Sequence, residues 1–213
     1  MTTSTTQSAN GSEDTIALFP LKSVLFPKGR LPLQIFEQRY LNLVTHCLRS
    51  NTGFGVCLLR EGEEVMRPGT HQQVHRTGTL ARIVDWDQLP NGLLGITVEG
   101  ERKFEVEDCH YDERQWLMAR VRYSATDYAG EAPLEVDDEQ EALVDLVEQL
   151  VSHPVINRLG MNIAYHDLRE LGWRLSELVP LSLERKQALL ELDDPYQRIR
   201  DIEALLHRLM DES

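Results

Sequence analysis

The chain has 213 residues, 41% of them hydrophobic and 27% charged, with 35 acidic against 22 basic side chains and a formal net charge of −13. That length allows one large domain or two small ones with a genuine core, while the acidic balance speaks against a general binder of nucleic acid or anionic membrane, because phosphate contacts need clustered Lys and Arg. Only Lys22, Lys28, Lys103 and Lys186 are lysines, so lysine chemistry has few candidates.

In chain order, residues 1–14 are rich in Thr, Ser, Asn and Gly, with neither an apolar run nor a basic residue. They lack the positive start and apolar stretch of a signal peptide and the arginines of a mitochondrial transit sequence, and read as a disordered tail. Residues 15–123 are strand-like. Ile16–Phe19 is a short apolar run closed by Pro20, and Leu31–Phe36 is a second run after the Pro27-Lys-Gly-Arg30 turn. Prolines at 20, 27 and 32 confine such strands to edges, starts or bends. From Phe36 to Arg49 the period changes: Tyr40, Leu41, Val44, Cys47 and Leu48 recur at helical spacing. Phe54–Leu59 predicts a buried strand. Thr79–Trp86 and Leu93–Val98 flank an Asn91-Gly92 reversal, and Lys103–Val106 and Trp116–Tyr123 alternate polar with apolar residues. Several short strands with turns between them predict a compact antiparallel sheet or small barrel.

Residues 124–138 break the composition and read as an acidic linker, and residues 139–213 as a helical subdomain. Asp138 to Glu141 has capping-box spacing ahead of a Leu143, Leu146, Val147, Leu150 stripe that ends at Pro154. Further helices are expected over Ile163–Val179, from an N-cap at Ser182, and from Pro195 with a stripe of Ile199, Ile202, Leu205, Leu206 and Leu209. The charge is uneven. Residues 1–123 carry fifteen acidic and fourteen basic side chains, net −1, whereas residues 124–213 carry twenty and eight, net −12. The longest uncharged stretch beyond the tail, Gln88–Val98, is far short of a membrane span.

Catalytic patterns are sparse. There is no Gly-Lys pair for a phosphate-binding loop, and G-x-S-x-G, H-E-x-x-H and G-x-G-x-x-G are absent. His71 and His75 have the four-residue spacing of helical metal ligands, but Pro68, Gly69 and Gly78 nearby predict a loop or strand instead. Cys109 and His110, as strand neighbours, would point to opposite faces. Ser182 and Lys186 have dyad spacing, yet Ser182 is better read as a cap, with Lys186 kept charged. Cys47, Cys57 and Cys109 form no C-x-x-C pair and read as buried free thiols of a reducing, cytoplasmic setting. No catalytic residue, metal site or cofactor site is expected.

One resemblance is specific. Ile16-Ala-Leu-Phe-Pro-Leu21, Val24-Leu-Phe-Pro27 and Leu31-Pro-Leu-Gln-Ile-Phe-Glu-Gln-Arg-Tyr40 resemble the opening of the Lon protease N-terminal, substrate-binding domain. Gly53-Phe-Gly-Val56, Gly78-Thr-Leu-Ala-Arg-Ile83 and Leu183–Glu191, with Asp193, Asp194 and Arg198, continue it over about residues 15–210. The resemblance implies an α+β fold: a PUA-like β-domain followed by a helical bundle. It also implies recognition of unfolded or degron-bearing polypeptides, in the manner of stand-alone bacterial Lon-domain proteins that lack ATPase and protease domains, as expected of a chain ending at Ser213.

Glu37, Arg39 and Tyr40 fall on the I-F-E-x-R-Y motif. A structural reading makes Glu37 a helix-starting carboxylate, Arg39 a tie to the β-domain, and Phe36 and Tyr40 core. A binding reading lines an apolar groove with Phe26, Pro27, Phe36 and Tyr40, adds Trp86 as an exposed aromatic contact, and allows strand addition at a proline-marked edge. Trp116 and Trp173 sit in stripes and read as core. The expected function is therefore a non-enzymatic polypeptide-binding module, an adaptor or modulator of a proteolytic machine. The alternatives are an RNA-binding PUA-like module using Arg76, Arg82, Arg120 and Arg122, or a self-assembling structural protein that dimerises through its helix stripes.

Overall fold

The computed structural model describes residues 13–66, 71–128 and 130–211. The expected disorder of residues 1–12, the flanking Pro68 and Gly69, and the side chain of Leu209 lie outside the described residues. Glu13 and Asp14, assigned above to the tail, instead begin the first strand.

Six strands are described: β1 (Glu13–Leu21), β2 (Arg30–Ile35), β3 (Phe54–Glu61), β4 (Gln73–Gln88), β5 (Leu94–Tyr111) and β6 (Leu117–Tyr123). They run in the order β2-β5-β4-β3-β1-β6, and an added β5–β6 pairing closes five of them into a barrel. The sheet is not wholly antiparallel. β1 and β3 pair in parallel, Leu18 opposite Gly55, because the connection between them contains β2 and a helix and is long enough to bring the chain back in the same direction. Nor are Leu93–Val98 and Lys103–Val106 separate strands. Both belong to the 18-residue β5, whose first half pairs with β2 and second half with β6. β2 has β5 as its single neighbour among the described residues.

Helix α1 (Gln38–Ser50) lays Tyr40, Leu43, Val44 and Cys47 onto the sheet, the i, i+3, i+4, i+7 stripe of an amphipathic helix. It ends at Asn51, whose left-handed φ of 54° suits a helix C-terminus. Strand β1 alternates between two cores. Ala17, Phe19 and Leu21 join the cluster under α1, which also buries Trp116, while Ile16 and Leu18 join Phe104, Val106 and Val121.

The helical unit comprises α2 (Glu141–Ser152), a short α3 (Pro154–Asn157), α4 (Leu168–Leu178), α5 (Leu183–Glu191) and α6 (Pro195–Asp211). The capping box before α2 is shifted by one residue from the expected one. Asp137 accepts from the Glu139 amide at 3.0 Å and Gln140 accepts from the Asp137 amide at 3.2 Å. Helix α4 starts five residues later than its period suggests, because Asp167 caps it (Arg169 amide, 3.1 Å) while the same oxygen takes the Leu134 amide of the linker at 3.1 Å. Ser182 caps α5 through the Arg185 amide at 3.3 Å. The helices share a core that includes the buried Trp173 and receives Val24, Phe26 and Leu58 from the β-unit. No described helix is long and apolar enough to cross a membrane.

Candidate functional site

The site grows out of β2 and the residues that follow it. Leu31, Leu33 and Ile35 alternate inward from β2 beside Phe19 and Leu21 of β1, and Tyr40 closes the wall from the first turn of α1. These six side chains floor a groove of about 300 Å³ that runs along the side of β2, with Phe36, Glu37 and Glu64 at its margins. Phe36 is 57% exposed, which overturns the reading of it as core. It lies just past the strand, where no layer of the fold covers it. Tyr40 is buried and stacked on Phe19 with ring centroids 3.9 Å apart, and its hydroxyl finds no hydrogen-bond partner among the described residues. Burial pushes the Tyr40 phenol far up, outweighing the opposing pull of Arg39, so the hydroxyl is neutral at physiological pH.

The charged motif residues brace this wall. Glu37 occupies the N-cap position of α1 without a side-chain cap bond, and its carboxylate takes Arg39 Nε at 3.2 Å. Arg39 lies 4.2 Å from the Tyr40 ring centroid and donates to the Glu64 carbonyl at 3.4 Å, pinning the segment after β3 beside the groove. Its own carbonyl accepts from Trp116 Nε1 at 2.9 Å.

Phe26 and Pro27, expected in the same groove, are elsewhere. Phe26 is fully buried in the helical core, and the Pro27 carbonyl accepts from the buried Arg174 Nη2 at 2.5 Å. The chain turns inward after β1. Lys28 takes a left-handed φ of 62° and its amide bonds to the Gly100 carbonyl at 2.7 Å. At Gly29 a Cβ would strike the Glu177 carboxylate, so only glycine leaves that helix side chain its place. The Pro-Lys-Gly-Arg turn is thus a clasp between the two units, reinforced by Arg30, which donates to the Leu159 and Gly160 carbonyls at 2.9 and 2.8 Å. Trp86 is 62% exposed but does not line the groove. The register Leu33–Ile96–Trp86 puts it on the groove's face of the sheet, two strands away from β2. Of the five expected contact residues, the structure brings together Phe36 and Tyr40. The reading missed Phe19, Leu21, the inward residues of β2, and Glu64. Pro32 carried a usable signal, since proline inside a strand marks an edge.

The other candidate chemistries disperse. Lys186 is half-buried, not freely solvated, and its Nζ donates to the Glu177 carbonyl at 2.5 Å while Ser182 serves as the cap. Burial draws its pKa below that of an ordinary lysine. Cys47 and Cys57 are buried, but Cys109 is exposed, because β5 runs on past the barrel interior beyond Val106. Burial raises all three thiols, the wrong direction for a nucleophile. Among the described residues no three His, Cys, Asp or Glu side chains gather to hold a metal. The four arginines of the RNA reading are engaged: Arg82 with Glu101 at 2.5 Å, Arg120 with Glu107 at 3.0 Å, Arg122 with Glu105 at 2.9 Å, and Arg76 with the Val106 carbonyl at 3.3 Å. A larger cavity, about 500 Å³, opens at the seam between barrel and helices, but its charged groups also pair with one another, Lys103 with Asp193 at 3.0 Å and Arg122 with Glu105.

Behind that seam lies a buried ion cluster. Asp127 accepts from Arg198 at 2.5 and 3.1 Å and pairs with Lys103 at 2.7 Å and Arg169 at 3.7 Å. Lys103 and Arg198 also donate to the terminal carbonyls of α5, Leu190 at 3.2 Å and Leu189 at 3.0 Å respectively, and both reach Leu192 just beyond it. The end of α5 is therefore capped by cations from other elements.

Comparison with known proteins places this geometry. Residues 15–208 match the model of the ATP-dependent protease La (LON) substrate-binding domain. A Lon protease of Cytophaga hutchinsonii is 28% identical over 86% of the chain, and Lon protease 2 of Myxococcus xanthus is 29% identical over 91%. The chain spans about a quarter of the length of these relatives, 23% of each. The crystal structure of a Lon N-terminal domain protein from Xanthomonas campestris covers 90% of the chain, and 98% of its own, with a TM-score of 0.69 and 30% identity. The N-terminal domain of a Mycobacterium avium complex Lon protease shares the fold at a TM-score of 0.57 and 14% identity, covering 89% of the chain and 96% of its own.

Proposed function

We propose that this chain, which belongs to the ATP-dependent protease La (LON) substrate-binding domain family, recognises polypeptides through the groove beside β2 and acts by binding, not by catalysis. The observation that carries the reading is an open apolar floor with an exposed Phe36 at its margin. An apolar side chain entering such a groove gains about 25 cal/mol for each Å² of apolar surface removed from water. Unfolded or degron-bearing segments expose apolar side chains and amides together, and folded proteins bury them, so the groove distinguishes the two states. The family match supports reading the chain's role as adaptor-like, handing bound segments to a proteolytic machine.

Pro32 shapes how the groove would be used. A proline on an edge strand removes a ladder donor and blunts pairing, so side-chain insertion contributes more than strand addition. The test is fluorescence titration with an unfolded protein and with short apolar peptides, using Phe36→Ala as the control. Saturable binding at tens of micromolar or tighter, weakened by Phe36→Ala, supports the reading. Absence of saturable binding overturns it.

A further inference from the structure

The margins of the groove are chemically unequal. Three carboxylates stand at or beside it: Glu37, Glu63 and Glu64. Glu37 is neutralised by Arg39 at 3.2 Å, and Glu63 by Lys22 at 3.1 Å. Glu64 has no cation within 4 Å among the described residues; its carboxylate takes the Lys22 amide, a neutral donor, at 2.5 Å. Lys22 and Arg39, the nearby cations among the described residues, pair with the other two glutamates. Among the described residues the groove thus presents an apolar floor with one carboxylate at its margin that no cation pairs, on a molecule of net charge −13.

We propose that Glu64 makes the groove selective, favouring segments in which a bulky apolar residue is followed or preceded by lysine or arginine and disfavouring those flanked by aspartate or glutamate. This rests on the groove being the polypeptide site and adds which polypeptides it prefers. The apolar residue fills the floor. The neighbouring long basic side chain lays its methylenes along Phe36 and reaches the Glu64 carboxylate with its charged end. An acidic neighbour meets like charge at the same place.

Three labelled, unstructured peptides decide it, identical in a central Leu-Phe pair and differing in flanks of Lys/Arg, Ser/Gln or Asp/Glu, with binding read by fluorescence anisotropy on the whole chain. At low ionic strength the basic-flanked peptide binds about twofold to fivefold more tightly than the neutral one, the range of a partly exposed ion pair, and the acidic one more weakly still. Glu64→Gln keeps an acceptor for the Lys22 amide and erases the difference between the basic-flanked and acidic-flanked peptides. Glu148→Gln removes the same net charge on α2 and leaves the preference intact. Equal affinities for all three peptides, or an equal loss of preference in Glu64→Gln and Glu148→Gln, overturn the selectivity while leaving the groove standing. Failure of every peptide to bind overturns the groove reading and this inference with it.

Discussion

The β-unit offers apolar surface on two sides, and the two sides end differently. On one, Val24, Phe26 and Leu58 are sealed by the helical unit, and the seam is stitched by buried charge: Arg174 on the Pro27 carbonyl, and Lys103, Arg169 and Arg198 around Asp127. On the other, Phe19, Leu31, Leu33 and Tyr40 are left under an open groove, with Phe36 in water. Leu58 apart, the apolar residues of both sides come from one stretch, Phe19 to Tyr40. The sealed side ties its charged ends to internal partners, Arg174 to the Pro27 carbonyl and Lys103, Arg169 and Arg198 to Asp127. The open side keeps one carboxylate, Glu64, that no cation pairs among the described residues. That asymmetry separates the part of the surface that builds the domain from the part that is free to receive something.

The largest expected effect breaks the sealed side. Asp127→Ala leaves three buried cations without their shared carboxylate and should destabilise the chain by about 3–5 kcal/mol in urea unfolding. Such a loss is a large fraction of a typical domain's total. A cost near zero would mean that the cluster is solvated. Phe26→Ala should cost about 3–5 kcal/mol by opening a cavity in the helical core. If it instead weakened peptide binding while unfolding normally, Phe26 would belong to the groove after all.

The contrast sharpens at Phe36. Phe36→Ala should alter unfolding stability by no more than about 0.5 kcal/mol, as expected of an exposed side chain, while lowering peptide affinity about tenfold, on the order of 1.4 kcal/mol. Two phenylalanines ten positions apart would then separate stability from binding. The smallest effect concerns Tyr40→Phe, which deletes a buried hydroxyl with no hydrogen-bond partner among the described residues. Unfolding stability should hold or rise, by at most about 1 kcal/mol, and a clear loss measured by thermal or urea melts would reveal a partner for that oxygen in solution.

Local periodicity made much of the fold legible. Helix α1 announced itself through Tyr40, Val44 and Cys47, and Ser182 and Pro195 marked the starts of α5 and α6. What stayed hidden depends on partners distant in sequence. Phe26 and Pro27 form an apolar turn, and nothing beside them indicates that Arg174, 147 residues later, closes over it. Lys103 and Arg198 look like ordinary surface charges until Asp127 and the end of α5 surround them. At the candidate site, the motif containing Phe36 and Tyr40 was visible, as was the proline on β2. Glu64 sits in an acidic loop whose four neighbours carry no distinguishing pattern, and only the fold sets it beside the groove.

Strand β5 has a mechanical consequence. Its first half holds β2, the wall of the groove, through six paired positions from Glu99 back to Leu94, and its continuation carries Lys103 into the cluster around Asp127. From Leu94 to Lys103 is about 30 Å of extended chain. Tension on a segment seated in the groove would therefore pass along a single unbroken backbone into the most heavily cross-tied part of the molecule. The load would be shared between barrel and helices.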